Sequence, residues 1–338
     1  MKQPVAIVFG TRPEAIKLAP LVHVFRAEGI PVKVIVTAQH REMLDQVNAV
    51  FGIEPDLDLN VMTANQTLED LTIRLLKGLG DAFRAISPSL VIVQGDTATA
   101  MVGSLAAFYQ KIPIGHVEAG LRSGDLMAPW PEEANRKIVS AIADLHFAPT
   151  PTASAALLAE NVAPERVHVT GNTVIDALHL VRGKLESGAL RAERGEAIVR
   201  AAGDRRLVLV TCHRRENFGT SLQDIANAIL ALAGRGDVRI VFPVHPNPNV
   251  QTLFRATLGS HPAIDLVEPL DYLNFVRVFM AATLVLTDSG GLQEEAPALG
   301  KPALVMRTTT ERPLDRLVTF AYDGMASVGC AAVIENMS

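Results

Sequence analysis

Residues 5–20 read VAIVFGTRPEAIKLAP: an apolar run, a glycine, then an arginine, a proline and a lysine within two helical turns. Val5–Val8 predict a short buried β-strand. Pro13 stands where a helix's first residue would be, because its fixed φ suits that position and its missing N–H is not needed there. A strand, a glycine turn and a helix start together make a place for an anion. Free backbone N–H groups and the positive end of the helix dipole favour negative charge at such a terminus, and Arg12 and Lys17 add two formal positive charges. The plain alternative is an ordinary βα turn in which Arg12 pairs with Glu14.

Working outward, the same rhythm continues. Strand-like apolar runs at Val32–Val36, Leu90–Val93, Ile112–His116, His146–Ala148 and Val167–Val169 alternate with longer helix-like segments, as βαβ units around a parallel sheet require. From Asn172 to Gly195 a helical pattern runs into a charged, glycine-containing stretch with no strand signal. The domain join is placed there, giving a first Rossmann-like domain over 1–183 and a second over 184–338. The second series has strands at Leu207–Thr211, Arg239–Pro243, Ile264–Val267, Leu284–Thr287 and Ala303–Met306. The expected fold class is therefore α/β, with two doubly wound domains and ligands at the carboxyl ends of the strands. Neither half carries G-x-G-x-x-G or a P-loop after a strand, so the usual dinucleotide and nucleoside-triphosphate fingerprints are missing.

At 338 residues and 49% hydrophobic, the chain is long enough to bury a core in each of two domains. Its net charge of −5, with both signs interspersed, offers no basic stripe for nucleic acid or an anionic membrane. The two cysteines, Cys212 and Cys330, show no metal-ligand or redox spacing. No apolar run reaches membrane-spanning length, and Met1 leads straight into a strand. A cytoplasmic protein without structural zinc or a disulfide framework is the expectation.

Residues that carry chemistry fall just after the strands. QGDTATA places Asp96 at a strand end ahead of a helix, a position that a plain N-cap also explains. HVEAGLRSGDLMAPWPEEANR puts Glu118 at the matching end of the next strand, and a Gly/Pro-rich loop then delivers Glu132, Glu133 and Arg136 to a helix start. Three carboxylates, Asp96, Glu118 and Glu132, can thus converge above one sheet edge. The alternative is that Glu132 and Glu133 only decorate a positive first turn; the long loop, which holds the only tryptophan, Trp130, argues for a site. In the second half VTCHRRENFG sets His213 at a strand exit. TDSGGLQEEA follows the strand Leu284–Thr287: Ser289, Gly290 and Gly291 let a phosphate approach backbone N–H groups, and Glu294 or Glu295 is placed for ribose hydroxyls. A capped, glycine-rich tight turn is the bland reading of the same residues.

FGTRPEAIKLAP, VTAQHREMLDQV, GDT, HVEAGLRSGD, PWPEEANR, TGNTVIDAL, HRREN, PVHPNPNV and LTDSGGLQEEAPALGKPALVMR together resemble the non-hydrolysing UDP-N-acetylglucosamine 2-epimerase family, from about residue 4 to about 313. The resemblance implies the two-Rossmann-domain architecture of GT-B glycosyltransferases with an active-site cleft between the domains. It also implies interconversion of UDP-GlcNAc and UDP-ManNAc for polysaccharide synthesis without NAD or metal, and a homodimer. Asp96, Glu118 and Glu132 fall on the family's catalytic carboxylates and His213 on its active-site histidine. Arg12, Lys17, Arg136, Phe275, Ser289, Gly290, Gly291, Glu295 and Arg312 fall on substrate-binding positions, and Gln39 and His40 on the region touching a regulatory nucleotide.

Some features depart from the family pattern. Leu270 stands where some members have Gln, and Thr308 where Asp is common. After Pro313 the family pattern is lost, so the segment 314–338 reads as an atypical, truncated ending with no clean period of 2 or 3.6. Failure of that tail to dock would leave a chain that binds nucleotide but epimerises poorly. A GT-B glycosyltransferase and a silent nucleotide-sugar sensor are the competing readings.

Overall fold

The computed structural model describes residues 3–37, 41–63, 66–212, 220–244, 247–306 and 325–335. They form two compact units, residues 1–177 with 324–338, and residues 178–323. No described helix is long and apolar enough to cross a membrane.

In the first unit the chain runs β1 (Val5–Phe9), α1 (Arg12–Ala27), β2 (Val32–Val36), α2 (Arg41–Phe51), β3 (Leu57–Asp58), α3 (Leu68–Ile86), β4 (Leu90–Gln94) and α4 (Ala98–Tyr109). It continues through β5 (Ile114–Val117), α5 (Glu132–Ile142), β6 (Leu145–Ala148), α6 (Pro151–Ala159) and β7 (Val167–Val169) into α7 (Thr173–Glu186). The strands make a sheet in the order β3-β2-β1-β4-β5-β6-β7, and every pairing is parallel. Val5–Phe9 and Leu90–Gln94 are buried at every position. That is why they read as unbroken apolar runs: helices cover both faces of a parallel sheet. On one face Val8, Val91 and Val93 pack with Leu75, Leu79 and Phe83 of α3 and Val102 and Ala106 of α4; each Val, Leu or Phe side chain contributes about 1.5–3 kcal/mol by leaving water. The order reverses between β1 and β4, which places the ligand crevice of a doubly wound sheet at their carboxyl ends.

The second unit repeats the plan with α8 (Glu193–Ala202), β8 (Arg206–Thr211), α9 (Thr220–Ala233), β9 (Val238–Pro243), α10 (Pro248–Leu258), β10 (Ile264–Val267), α11 (Tyr272–Ala281), β11 (Leu284–Thr287), α12 (Gly290–Ala298) and β12 (Ala303–Val305). Its parallel sheet has the order β10-β9-β8-β11-β12, so the reversal lies between β8 and β11.

Two features differ from the sequence reading. The division falls at residues 177/178, inside the continuous helix α7, rather than at 183/184, because helical propensity continues across the point where packing changes partner. The tail, expected in the second domain and feared undocked, returns to the first unit as helix α13 (Ala326–Glu335), with Ala326, Ser327, Cys330 and Ile334 buried. Gln39, His40, His213, Thr308 and Arg312 lie outside the described residues.

Candidate active site

Glu118 leaves β5 with φ of 61°, a left-handed conformation that costs a non-glycine residue roughly 1 kcal/mol or more. Two residues on, Gly120 has φ of 90°, and a Cβ there would stand 2.2 Å from the Ala153 carbonyl oxygen; only glycine lets α6 approach so closely. This kinked exit turns the Glu118 side chain, with 5% of its surface exposed, into a ring of donors. Lys17 Nζ lies 2.5 Å from Oε2, Gln94 Nε2 donates to the same oxygen, and Asn172 Nδ2 donates to Oε1 at 3.1 Å. All three partners donate, the arrangement a carboxylate anion requires. They arrive from α1, the end of β4 and the turn after β7, so the sheet order itself assembles them.

Asp96 follows β4, the strand next to β5. Arg136 Nη2 approaches its Oδ2 to 2.5 Å, and Asn135 Nδ2 donates to its backbone carbonyl at 2.8 Å. Those two contacts bring the first turns of α5, and with them Glu132, to the ends of β4 and β5. One carboxylate oxygen of Glu132, Oε2, is buried and accepts no hydrogen bond from any described residue.

Glu133 does something else. It is fully buried, its oxygens accept from Ser123 N–H (3.1 Å), Gly124 N–H (3.3 Å) and Arg136 Nη1 (2.9 Å), and it thereby ties the long β5–α5 loop to α5. Burial pushes its carboxyl up, but the two N–H groups and the guanidinium outweigh burial and leave it below the ordinary range. Arg136 is likewise disfavoured as a cation by burial, and Asp96 and Glu133 more than compensate. His116, buried on β5, donates Nε2–H to the Gly95 carbonyl at 2.8 Å, which fixes the peptide just before Asp96. Burial pushes this imidazole down to about 3, so it is neutral at working pH.

The opening turn is not the open anion cradle that its sequence suggests. Glu14 turns inward, and its Oε2 accepts from the N–H groups of Gly10 (3.0 Å) and Thr11 (2.7 Å), while Oε1 accepts from the Thr97 hydroxyl at 2.6 Å. The helix start is satisfied by its own third residue, a capping box. Arg12 does not pair with Glu14 and makes no hydrogen bond or ion pair with any described residue, while Lys17 is committed to Glu118.

In the second unit Ser289 is the N-cap residue of α12, its own N–H donating to the Thr287 hydroxyl at 2.9 Å. A Cβ on Gly291 would come within 3.3 Å of Glu295 Oε1 and 3.9 Å of Ser289 Oγ, so these residues border one small space in front of the helix. The Tyr272 hydroxyl, pushed well up by burial, also feels the Glu295 charge. Thr211 and Thr287 share a 2.6 Å hydroxyl contact across β8 and β11, which sets α12 beside the strand exit that leads to His213. Phe275 lies on α11, its ring centroid 5.8 Å from that of Phe279, and Leu270 is buried. Among the described residues no group of three His, Cys, Asp or Glu side chains is placed to hold a metal ion.

Gln94, Thr97, Asn135 and Asn172 were not singled out from the sequence. Each is a neutral residue at a strand exit or helix start, and the available signal was position alone: QGDT, EEANR and TGNT all follow apolar runs or open helices.

Two parallel doubly wound sheets, acidic side chains at the strand ends of one and a glycine-fronted helix start after a strand of the other, define the class: a two-domain, GT-B-like α/β protein. Residues 23–322 match the model of the UDP-N-acetylglucosamine 2-epimerase family, and the chain belongs to that family. It is 54% identical over 312 residues to the UDP-N-acetylglucosamine 2-epimerase of Salmonella typhimurium, covering 91% of this chain and 83% of that protein. A crystal structure of UDP-GlcNAc 2-epimerase from Neisseria meningitidis bound to UDP-GlcNAc superposes with a TM-score of 0.84 at 47% identity, over 93% of this chain and 84% of that one. The Methanocaldococcus jannaschii enzyme, in complex with UDP-GlcNAc and UDP, gives 0.81 at 30% identity and covers 99% and 100% of the two chains.

Proposed function

We propose that this chain interconverts UDP-GlcNAc and UDP-ManNAc, supplying ManNAc units for cell-surface polysaccharide. The hydrogen at C2 of the sugar is not α to a carbonyl, so simple enolisation cannot invert that carbon. Elimination solves the problem. A base removes the C2 proton, the C1–O bond breaks with its electron pair leaving on UDP, and a C1–C2 double bond forms as 2-acetamidoglucal. Readdition of UDP with protonation from the opposite face gives the epimer. Two proton-transfer groups and stabilisation of the departing diphosphate are needed.

The observation that carries this reading is the cluster of Asp96 and Glu118, with Glu132 brought alongside by α5, at the switch point of the first sheet. These three are the proton-transfer candidates. Lys17 and Arg136, expected on the substrate, hold Glu118 and Asp96 in place. In the first unit Arg12 is the cation proposed for the anionic substrate, and in the second unit His213, Arg312 and the N–H groups opening α12 are proposed for the diphosphate. Ser289, Gly290, Gly291 and Glu295 serve the nucleotide's phosphates and ribose, and Phe275 its base. A homodimer and a cytoplasmic setting belong to the same reading, the former supported by the exposed Ile73 on α3 and Phe108 and Tyr109 on α4. Gln39 and His40 remain the proposed contacts of a regulatory nucleotide.

The test is product identification by proton NMR with UDP-GlcNAc alone, without added NAD or metal. The anomeric signal of UDP-ManNAc should grow to an equilibrium reached equally from UDP-ManNAc. Substrate that stays unchanged, or UDP released only when a sugar acceptor is added, contradicts the reading.

A further inference from the structure

We propose that the C-terminal helix α13 is a positioning element for Glu118, clamping two of the three parts of the chain whose side chains hold that carboxylate. The proposal rests on the functional reading above only in calling Glu118 catalytic. The helix lies beyond the 23–322 stretch that matches the family model.

One face of α13 does the docking. Ser327 N–H lies 2.6 Å from Asp176 Oδ2, and the Ser327 hydroxyl donates to the same oxygen. Asp176 sits in the first turn of α7 and is 6% exposed, so a buried carboxylate meets the positive end of α13. One turn further along, Cys330 Sγ donates to the Thr170 hydroxyl at 3.7 Å. At Gly171, whose φ is 86°, a Cβ would stand 3.5 Å from that of Ala326. The helix therefore touches both the turn at residues 170–172 and the first turn of α7. It also packs along α1.

Both gripped parts, the turn and α1, reach Glu118, which Gln94 at the end of β4 holds independently. From the turn, Asn172 donates to Glu118 Oε1, and its own amide oxygen is fixed by Val174 N–H at 3.2 Å, which settles which way the amide faces. From α1, Lys17 supplies the ion pair to Oε2. Glu118 stands on a left-handed backbone that favours relaxation, so its placement depends on these external contacts. Ser327 and Asp176 act through Asn172; they are positioning residues.

The test uses the full-length chain. Ser327→Pro removes both donors while leaving a residue that a helix accepts in its first turn; Ser327→Thr keeps both. Amide exchange is read in peptides covering 116–122, 170–176 and, as a control in the second unit, 206–211. Ser327→Pro should raise exchange at 116–122 and 170–176 by about tenfold or more, with 206–211 unchanged and Ser327→Thr close to wild type. Turnover should fall by about tenfold with KM for UDP-GlcNAc within about twofold, the split expected when a reacting group is misplaced and the nucleotide is still held. If Ser327→Pro unfolds the first unit, Asp176→Asn carries the same comparison. Exchange that rises in α13 alone, with 116–122 protected as in wild type, overturns the proposal. A wild type that leaves UDP-GlcNAc unchanged counts against the enzymatic reading instead, because the exchange result stands without turnover.

Discussion

Mild acid should weaken the first unit through two imidazoles. His116 on β5 and His146 on β6 are register partners in the sheet, 1% and 0% exposed. Burial, aided by the Arg122 charge, pushes His116 down to about 3 and His146 down to about 4. In the unfolded chain both take up a proton near pH 6.5, whereas the folded chain refuses it until far lower pH. The stability they contribute is therefore complete above pH 6.5 and is lost as pH falls toward 4. Each withheld proton is worth about 1.4 kcal/mol per pH unit once the unfolded imidazole is charged, and that imidazole is only half charged at pH 6.5, so the pair removes about 3 kcal/mol between pH 6.5 and 5. Glu14, raised by burial, works the other way and trims the loss. Glu160, held down to about 2 by hydrogen bonds from Arg122 and Lys137, adds to the loss only below about pH 4.5. Urea unfolding followed by the fluorescence of Trp130, the only tryptophan and a residue of the first unit, reads the effect. With a slope of about 2 kcal/mol per molar urea, the midpoint should fall by about 1.5 M between pH 6.5 and 5. His146→Gln should roughly halve the pH dependence. A midpoint that stays put between those pH values, or a dependence unaltered in His146→Gln, refutes the reasoning.

Three further outcomes are expected. Arg136→Met strands the buried Glu133 and unpairs Asp96, and should lower stability by about 3–5 kcal/mol in the same urea assay; a loss below about 1 kcal/mol would mean that the carboxylates find other donors. Arg12→Ala should weaken UDP-GlcNAc binding by roughly 1.5–3 kcal/mol by calorimetry, the range for a hydrogen bond to a charged group, and an unchanged Kd would return Arg12 to the surface. Asp96→Asn, Glu118→Gln and Glu132→Gln should each cut turnover by about 100-fold or more while leaving UDP affinity within a few-fold; a variant that abolishes UDP binding instead moves that residue to the binding set.

Strand exits were legible because a parallel sheet buried on both faces demands apolar runs, and the polar residue that ends each run has to be at the rim. The run from Ile112 misplaced one strand start by two residues: the Ile112 N–H bonds back to Ala107 O, and Pro113 has none to give. Leu57–Asp58 was missed, since two residues carry no periodicity. Asp96 and Glu118 stood out as charges at strand ends, but their amide partners did not. Gln94, Asn135 and Asn172 meet them across 24, 39 and 54 residues, and nothing ionisable marks an amide. The inward turn of Glu14 was not legible because it depends on Thr97, 83 residues away. The tail helix hid its period because apolar Met325 and Val328 stay exposed beside the buried Ala326 and Cys330.

The central claim is that the first unit breaks and remakes the C2–H bond of a UDP-sugar, and solvent exchange tests it most directly. Incubation with UDP-GlcNAc in deuterated buffer, followed by mass spectrometry and NMR of the recovered nucleotide-sugar, should show one deuterium at C2 in both epimers. Glu118→Gln should suppress its incorporation. Recovery of UDP-GlcNAc with hydrogen retained at C2 after prolonged incubation, or of UDP-ManNAc formed without deuterium, would contradict the account.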